Sequence, residues 1–171
     1  SEVLGLVALM EIQASRFPAR VSASGEPILL LDQDRTRWDR LLIRRGLDAL
    51  AKAEALPGPL GPYALQAAIA ACHARALSVE QTDWARIAAI YDALAQLAPS
   101  PVISLNRAVA VGMAFGPAAG LEIVDALLDA GARLDGDDAG GHTPLMYAAL
   151  TGKTGLARHL LARGARADAK D

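Results

Sequence analysis

Five arginines, Arg35, Arg37, Arg40, Arg44 and Arg45, crowd one short stretch of the 171-residue chain, and Arg37, Arg40 and Arg44 recur at the spacing of one helix face. Unopposed, such a stripe would bind phosphate. Here it is opposed: Asp32, Asp34, Asp39 and Asp48 are interleaved with it, and Arg44 and Asp48 stand four apart, where helical side chains meet. The expected outcome is a solvated face of ion pairs. Adjacent Cys72 and His73 bring a thiol beside a base, but neighbours on a helix point about 100° apart and cannot readily share a proton. A buried structural cysteine is the expectation. Asp137-Asp138 with Gly140-Gly141 has the composition of a calcium loop but neither its spacing nor its terminal glutamate. No phosphate-cradling glycine loop follows a strand. Neither a catalytic residue nor a cofactor is predicted.

The elements that would carry these residues are helical. Hydrophobic residues make up 53% of the chain and aromatics only 4%. Much of the difference is alanine, whose small side chain lets helices approach closely. A formal charge of −2 provides no long-range attraction to nucleic acid or to anionic lipid, and neither is predicted as a partner. Cys72 is the single cysteine, which rules out an intrachain disulfide and fits a reducing cytoplasm. The apolar opening, Ser1 to Met10, has no basic flank and stops at Glu11, far short of a membrane span. It reads as a buried helix, and a chain that opens inside a helix reads as a piece of something longer.

A first helix is predicted from about 2 to 15, closed by Pro18. Arg20-Val21-Ser22-Ala23 and Ile28-Leu29-Leu30-Leu31 flank Ser24-Gly25-Glu26-Pro27, a small β-hairpin near 20–31. Asp34 or Thr36 would cap a long helix over 37–56. After the break at Pro57-Gly58-Pro59-Leu60-Gly61-Pro62, helices are predicted over 63–76, 84–97 (capped by Thr82 or Asp83), 101–115 and 117–130. Helices of similar length alternating with short loops define an all-α solenoid of tetratricopeptide-like hairpins.

Three segments carry a first family resemblance: Leu31-Asp32-Gln33-Asp34-Arg35-Thr36-Arg37-Trp38-Asp39, the run from Gly61 to His73, and the run from Leu97 to Ala110. Together they resemble the C-terminal helical extension of a group of bacterial extracytoplasmic-function RNA polymerase sigma factors, over about 2–128. The resemblance implies a regulatory or interaction role rather than DNA contact. Without the promoter-reading regions that precede this extension in the family, the chain is not expected to work as a sigma factor by itself.

A second resemblance covers about 121–171. Gly140-Gly141-His142-Thr143-Pro144-Leu145-Met146-Tyr147-Ala148-Ala149-Leu150-Thr151-Gly152 is similar to the opening of an ankyrin unit, and Leu160-Leu161-Ala162-Arg163-Gly164-Ala165 to its close. Leu127-Leu128-Asp129-Ala130-Gly131-Ala132 precedes that close by 33 positions, the ankyrin period, and Asp135 and Asp138 recur as Asp168 and Asp171. The resemblance implies that Thr143 caps a helix, Pro144 takes its first turn, and Gly152 and Gly164 make left-handed turns where helices end. It also implies that His142 supports a hairpin turn. With His159 on a helix, a metal held by His142, His159 and Asp138 is not predicted.

Counting 33 back from Thr143-Pro144-Leu145 reaches Ala110-Val111-Gly112, which is no ankyrin opening. The first ankyrin unit therefore retains only its second helix, 121–130, and the sigma-like helix 102–115 stands in for the missing one. The predicted division is a sigma-like domain over 1–119 and an ankyrin segment over 120–171 that shares helix 121–130, with Ile123, Val124, Leu127 and Leu128 buried. A helix shared by two families suggests an engineered chimera: a de novo, non-enzymatic scaffold with a protein-interaction surface. The alternative is a natural regulatory module bound to a sigma factor or RNA polymerase. An uncapped C-terminal repeat is expected to drive self-association or leave a frayed last helix, because no following repeat covers whatever the preceding one leaves open of the surface that Leu156, Leu160 and Leu161 offer.

Overall fold

The computed structural model describes residues 1–131 and 154–165. Among them the fold is an all-α helical repeat of seven helices: α1 Glu2–Ala14, α2 Arg40–Glu54, α3 Pro62–Arg75, α4 Trp84–Leu97, α5 Pro101–Phe115, α6 Pro117–Asp129 and α7 Thr154–Ala162. They fall into two compact units, Ser1–Pro99 and Ser100–Asp171.

In the first unit α1 packs against both α2 and α3, and α3 against α4. Small residues set these crossings. A Cβ added at Gly5 would lie 2.5 Å from the Ala64 backbone nitrogen, and one at Gly46 would lie 2.6 Å from Ile12 Cγ1. Glycine weakens a helix by about 1 kcal/mol relative to alanine, and here that cost is offset by the close approach of neighbouring backbones. Ala8, Ile12, Ile43, Leu50, Ala67, Ala71 and Trp38 form the core. The middle of α3 is buried almost all round, from Ala64 to Ala74 except Gln66, which explains its run of alanines. Pro62 starts α3, where no backbone donor is needed. The free N–H groups of Tyr63 and Ala64 donate to the Glu2 carboxylate of α1 at 3.1 and 3.3 Å, so the cap comes from another helix.

Two expectations for this unit are corrected. The β-hairpin near 20–31 reduces to one antiparallel bridge, Val21 with Pro27, around a turn in which Gly25 has φ +88°. Ser22 N–H donates to Glu26 O, and Ile28 N–H to Arg20 O, but no ladder extends beyond them. The long helix begins at Arg40 rather than Arg37. Asp34 instead caps a single 3-10 turn, Arg35–Arg37, and Asp39 caps α2 by accepting from Leu41 and Leu42 N–H. Two acids five residues apart each capture the backbone donors that follow, which splits the segment. At α4 the cap is Asp83, accepting from Arg86 N–H.

In the second unit Ser100 caps α5 and Pro101 takes its first turn. Gly116, at φ +103°, ends α5 and starts α6. A Cβ at Gly120 would stand 2.6 Å from the Ala108 carbonyl, so these two helices also cross closely. On its other side α6 meets α7, and Ala108, Val124, Leu160 and Ala165 form the shared core. Gly131 and Gly164, 33 positions apart, have φ +89° and +96° and close α6 and α7 in the same way, each N–H bonded to the carbonyl three residues back. Of the four α6 residues expected to be buried, only Val124 is fully so; Ile123, Leu127 and Leu128 are half-buried. Leu160 is 1% exposed and belongs to the core, whereas Leu161 is exposed. The side chain of Leu156, and the whole of Thr143, Pro144 and Gly152, lie outside the described residues.

Candidate functional site

The segment from Asp32 to Asp39 is a structural clasp. Arg35 is buried, and its Nη1 donates to the carbonyl oxygens of His73 and Ala76, both at 2.9 Å, while Nη2 donates to Thr82 Oγ1 at 3.1 Å. These carbonyls end α3, where the helix has no backbone donors left to offer them. The guanidinium also lies 5.3 Å from the centre of the buried Trp38 ring. Gln33 ties back to Ile28 O, and the Asp39 N–H donates to Ser15 O. The arginine stripe therefore does not form: Arg35 points inward, Arg37 sits on the 3-10 turn, and only Arg40, Arg44 and Arg45 share α2. Arg45 pairs with Glu11 at 2.5 Å, and Arg40 reaches the Arg35 carbonyl at 3.4 Å.

Cys72 and His73 are both buried on α3, and burial pushes the thiol above its ordinary range, away from the thiolate a nucleophile needs. The His73 ring stands edge-on to Trp84, 5.2 Å between centres. Burial, with Arg35 and Arg16 nearby, holds its pKa down to about 4, so the imidazole is neutral. Its Nδ1 has no hydrogen-bond partner among the described residues.

A second pair of arginines escaped the sequence reading. Gln13 Oε1 accepts from Arg16 Nη2 at 2.8 Å and from Arg20 Nη2 at 2.9 Å. Arg20 Nη2 also reaches Gln13 O at 3.3 Å. Arg16 lies 5.9 Å from the Trp38 ring centre, and Arg20 lies 5.1 Å from that of Phe17. Among the described residues neither has a carboxylate partner. The signal was legible: no acid occurs between Glu11 and Glu26.

In the second unit His159 Nε2 lies 2.9 Å from Asp125 Oδ1. Arg163 binds the same Asp125 oxygen, and its Nη2 meets Asp129 Oδ1 at 2.7 Å. This network laces α7 to α6. His142, Asp135, Asp137 and Asp138 lie outside the described residues, as do Asp168 and Asp171. A shallow groove of about 320 Å³ runs between α5 and α6, lined by Ser104, Arg107, Glu122, Ile123, Ala126 and Leu127. No helix among the described residues is long and apolar enough to cross a membrane.

Comparison with known proteins agrees with a helical repeat chain that carries ankyrin repeats. Ankyrin repeats are detected over residues 115–171, and a family of unknown function (DUF6596) over residues 1–54. An uncharacterized protein of Rhizobium meliloti (strain 1021) is 51% identical over 135 residues, which is 79% of this chain and 31% of the relative. The chain thus spans about a third of the length of the curated relative it matches. That likeness to a natural protein argues against the expectation of a de novo sequence. No solved structure matches.

Proposed function

We propose that the chain is a protein-binding regulatory module that carries out no reaction of its own and works in a reducing cytoplasm. The observation that carries this reading is the ankyrin match over 115–171, because such repeats bury a continuous core and offer their outer surface to other proteins. The candidate chemistry adds nothing against it: Cys72 and His73 are buried, Arg35 is spent on three structural hydrogen bonds, and His159 is held by Asp125. The resemblance of the first 128 residues to a sigma-factor extension supports transcription control as the setting, with RNA polymerase or a sigma factor as the partner. Cross-linking mass spectrometry of the full chain with purified bacterial RNA polymerase tests this. Cross-links from the exposed faces to polymerase or sigma are expected; their absence at micromolar concentrations would contradict the setting.

A second reading, an engineered fusion of two natural segments, is favoured by the two different family models that match at opposite ends of the chain. On that reading helix 121–130 is the shared joint and the domains divide at 119. A natural gene that encodes the whole of 1–171 would contradict it.

A further inference from the structure

We infer that Arg16 and Arg20 form a receptor for the carboxylate of an acidic side chain on a partner segment, with exposed Phe17 as the apolar anchor beside it. The inference rests on the protein-binding reading and deepens it. Two guanidinium groups converge on one neutral oxygen, Gln13 Oε1, at 2.8 and 2.9 Å. Like charges held this close repel, and nothing acidic among the described residues relieves them. Burial, and secondarily the neighbouring Arg20, lower the Arg16 pKa to about 10. Both Nε atoms are out of water and have no acceptor among the described residues. A guanidinium binds a carboxylate far better than a carboxamide, because the anion supplies charge and two acceptor oxygens in a matching fork. Gln13 Oε1 therefore marks the point on which both guanidinium groups converge and where a carboxylate oxygen would be the better acceptor.

The surroundings select a peptide side chain over a free ion. Both arginines are half-buried, and each is backed by an aromatic ring, Arg16 by Trp38 and Arg20 by Phe17. Phe17 is 63% exposed although its ring lies against Arg20, so an apolar surface continues outward from the charge. Val21, next along the chain, is also exposed. Arginine beside an exposed aromatic is the composition of an interface hot spot. The occupant is a segment with an Asp or Glu adjacent to an apolar side chain.

The test uses the full chain labelled for NMR and follows the arginine Nε–H signals. A short synthetic peptide carrying one Asp between leucines is titrated in, then the same peptide with Asn, then inorganic phosphate. The Asp peptide is expected to shift the Arg16 and Arg20 signals, and the Asn peptide to bind about tenfold or more weakly. Gln13→Glu supplies the carboxylate from within the chain. It is expected to abolish peptide binding while raising the thermal midpoint, so a loss of fold cannot be mistaken for loss of the site. Equal binding of the Asp and Asn peptides, or full binding by Gln13→Glu, would overturn the inference. So would phosphate binding as tightly as the Asp peptide, since the site would then take a free anion. If polymerase cross-links persist while the peptide fails to bind, this inference falls and the protein-binding reading stands.

Discussion

The carbonyl of His73 accepts from Arg35 Nη1 at 2.9 Å, across 38 positions of sequence. One side chain thereby ties the loop before α2 to the end of α3, and it holds His73 while contributing to keeping that imidazole uncharged. An arginine that looks like part of a phosphate-binding stripe is instead a helix C-cap supplied from a distance.

Replacing Arg35 should therefore weaken the first unit, not ligand binding. Arg35→Ala leaves the His73 and Ala76 carbonyls buried without donors, at roughly 1–3 kcal/mol for each such group. A loss of about 3 kcal/mol is expected in urea unfolding followed by the fluorescence of Trp38 and Trp84. Arg35→Lys should recover only part of it, because an ammonium cannot reproduce the planar fork. A variant as stable as the parent would contradict the clasp.

His73 makes the first unit acid-sensitive. Its folded pKa is about 4, below the ordinary histidine value of about 6.5. Between these values the unfolded chain binds a proton that the folded chain refuses, so stability rises with pH through this window. Seen in the other direction, stability is lost as pH falls from about 6.5 to about 4, at roughly 1.4 kcal/mol per pH unit, and is flat for this group above the window. His73→Phe keeps an aromatic edge for Trp84 and removes the titration. The parent's midpoint should fall relative to that variant across the window; a constant difference would show that His73 is not the group.

Close helix approach predicts an inverted response to alanine. At an open helix position, Gly→Ala stabilises by up to about 1 kcal/mol. Gly5→Ala would push a methyl into the Ala64 backbone, and Gly120→Ala would push one into the Ala108 carbonyl. Neither backbone can step aside as a flexible side chain would, so each substitution should destabilise by about 1–3 kcal/mol. Thermal unfolding by circular dichroism reads the sign.

Leu160 anchors α7 against α6 with Val124 and Ala108. Leu160→Ala should cost about 2–5 kcal/mol, whereas the half-buried Leu127 should cost less when truncated. Hydrogen exchange over 157–165 would show α7 opening first. Unchanged protection in Leu160→Ala would contradict its place in the core.

Much of this architecture is legible in the chain before folding. Pro62, Pro101 and Pro117 mark helix starts that the structure places within a residue or so of expectation, because proline tolerates only the first turn. The ankyrin period is equally plain, and the paired turns at Gly131 and Gly164 realise it. What could not be read is long-range. Nothing local says that Arg35 turns inward, that Glu2 caps a helix sixty residues on, or that Leu160 is covered by α6. The hairpin near 20–31 misled because two four-residue runs flanking a Gly-Glu-Pro turn fit a tight turn with one bridge as well as a ladder. The stripe misled because helical spacing was read across Asp39, which restarts the helix.

One titration tests the proposed binding of this chain to bacterial RNA polymerase. The full chain, fluorescently labelled, is titrated with purified bacterial RNA polymerase and followed by anisotropy at physiological salt. Saturable binding in the micromolar range or tighter is expected, weakened by Gln13→Glu and unaffected by Arg44→Gln. No saturation at concentrations well above that range would contradict it.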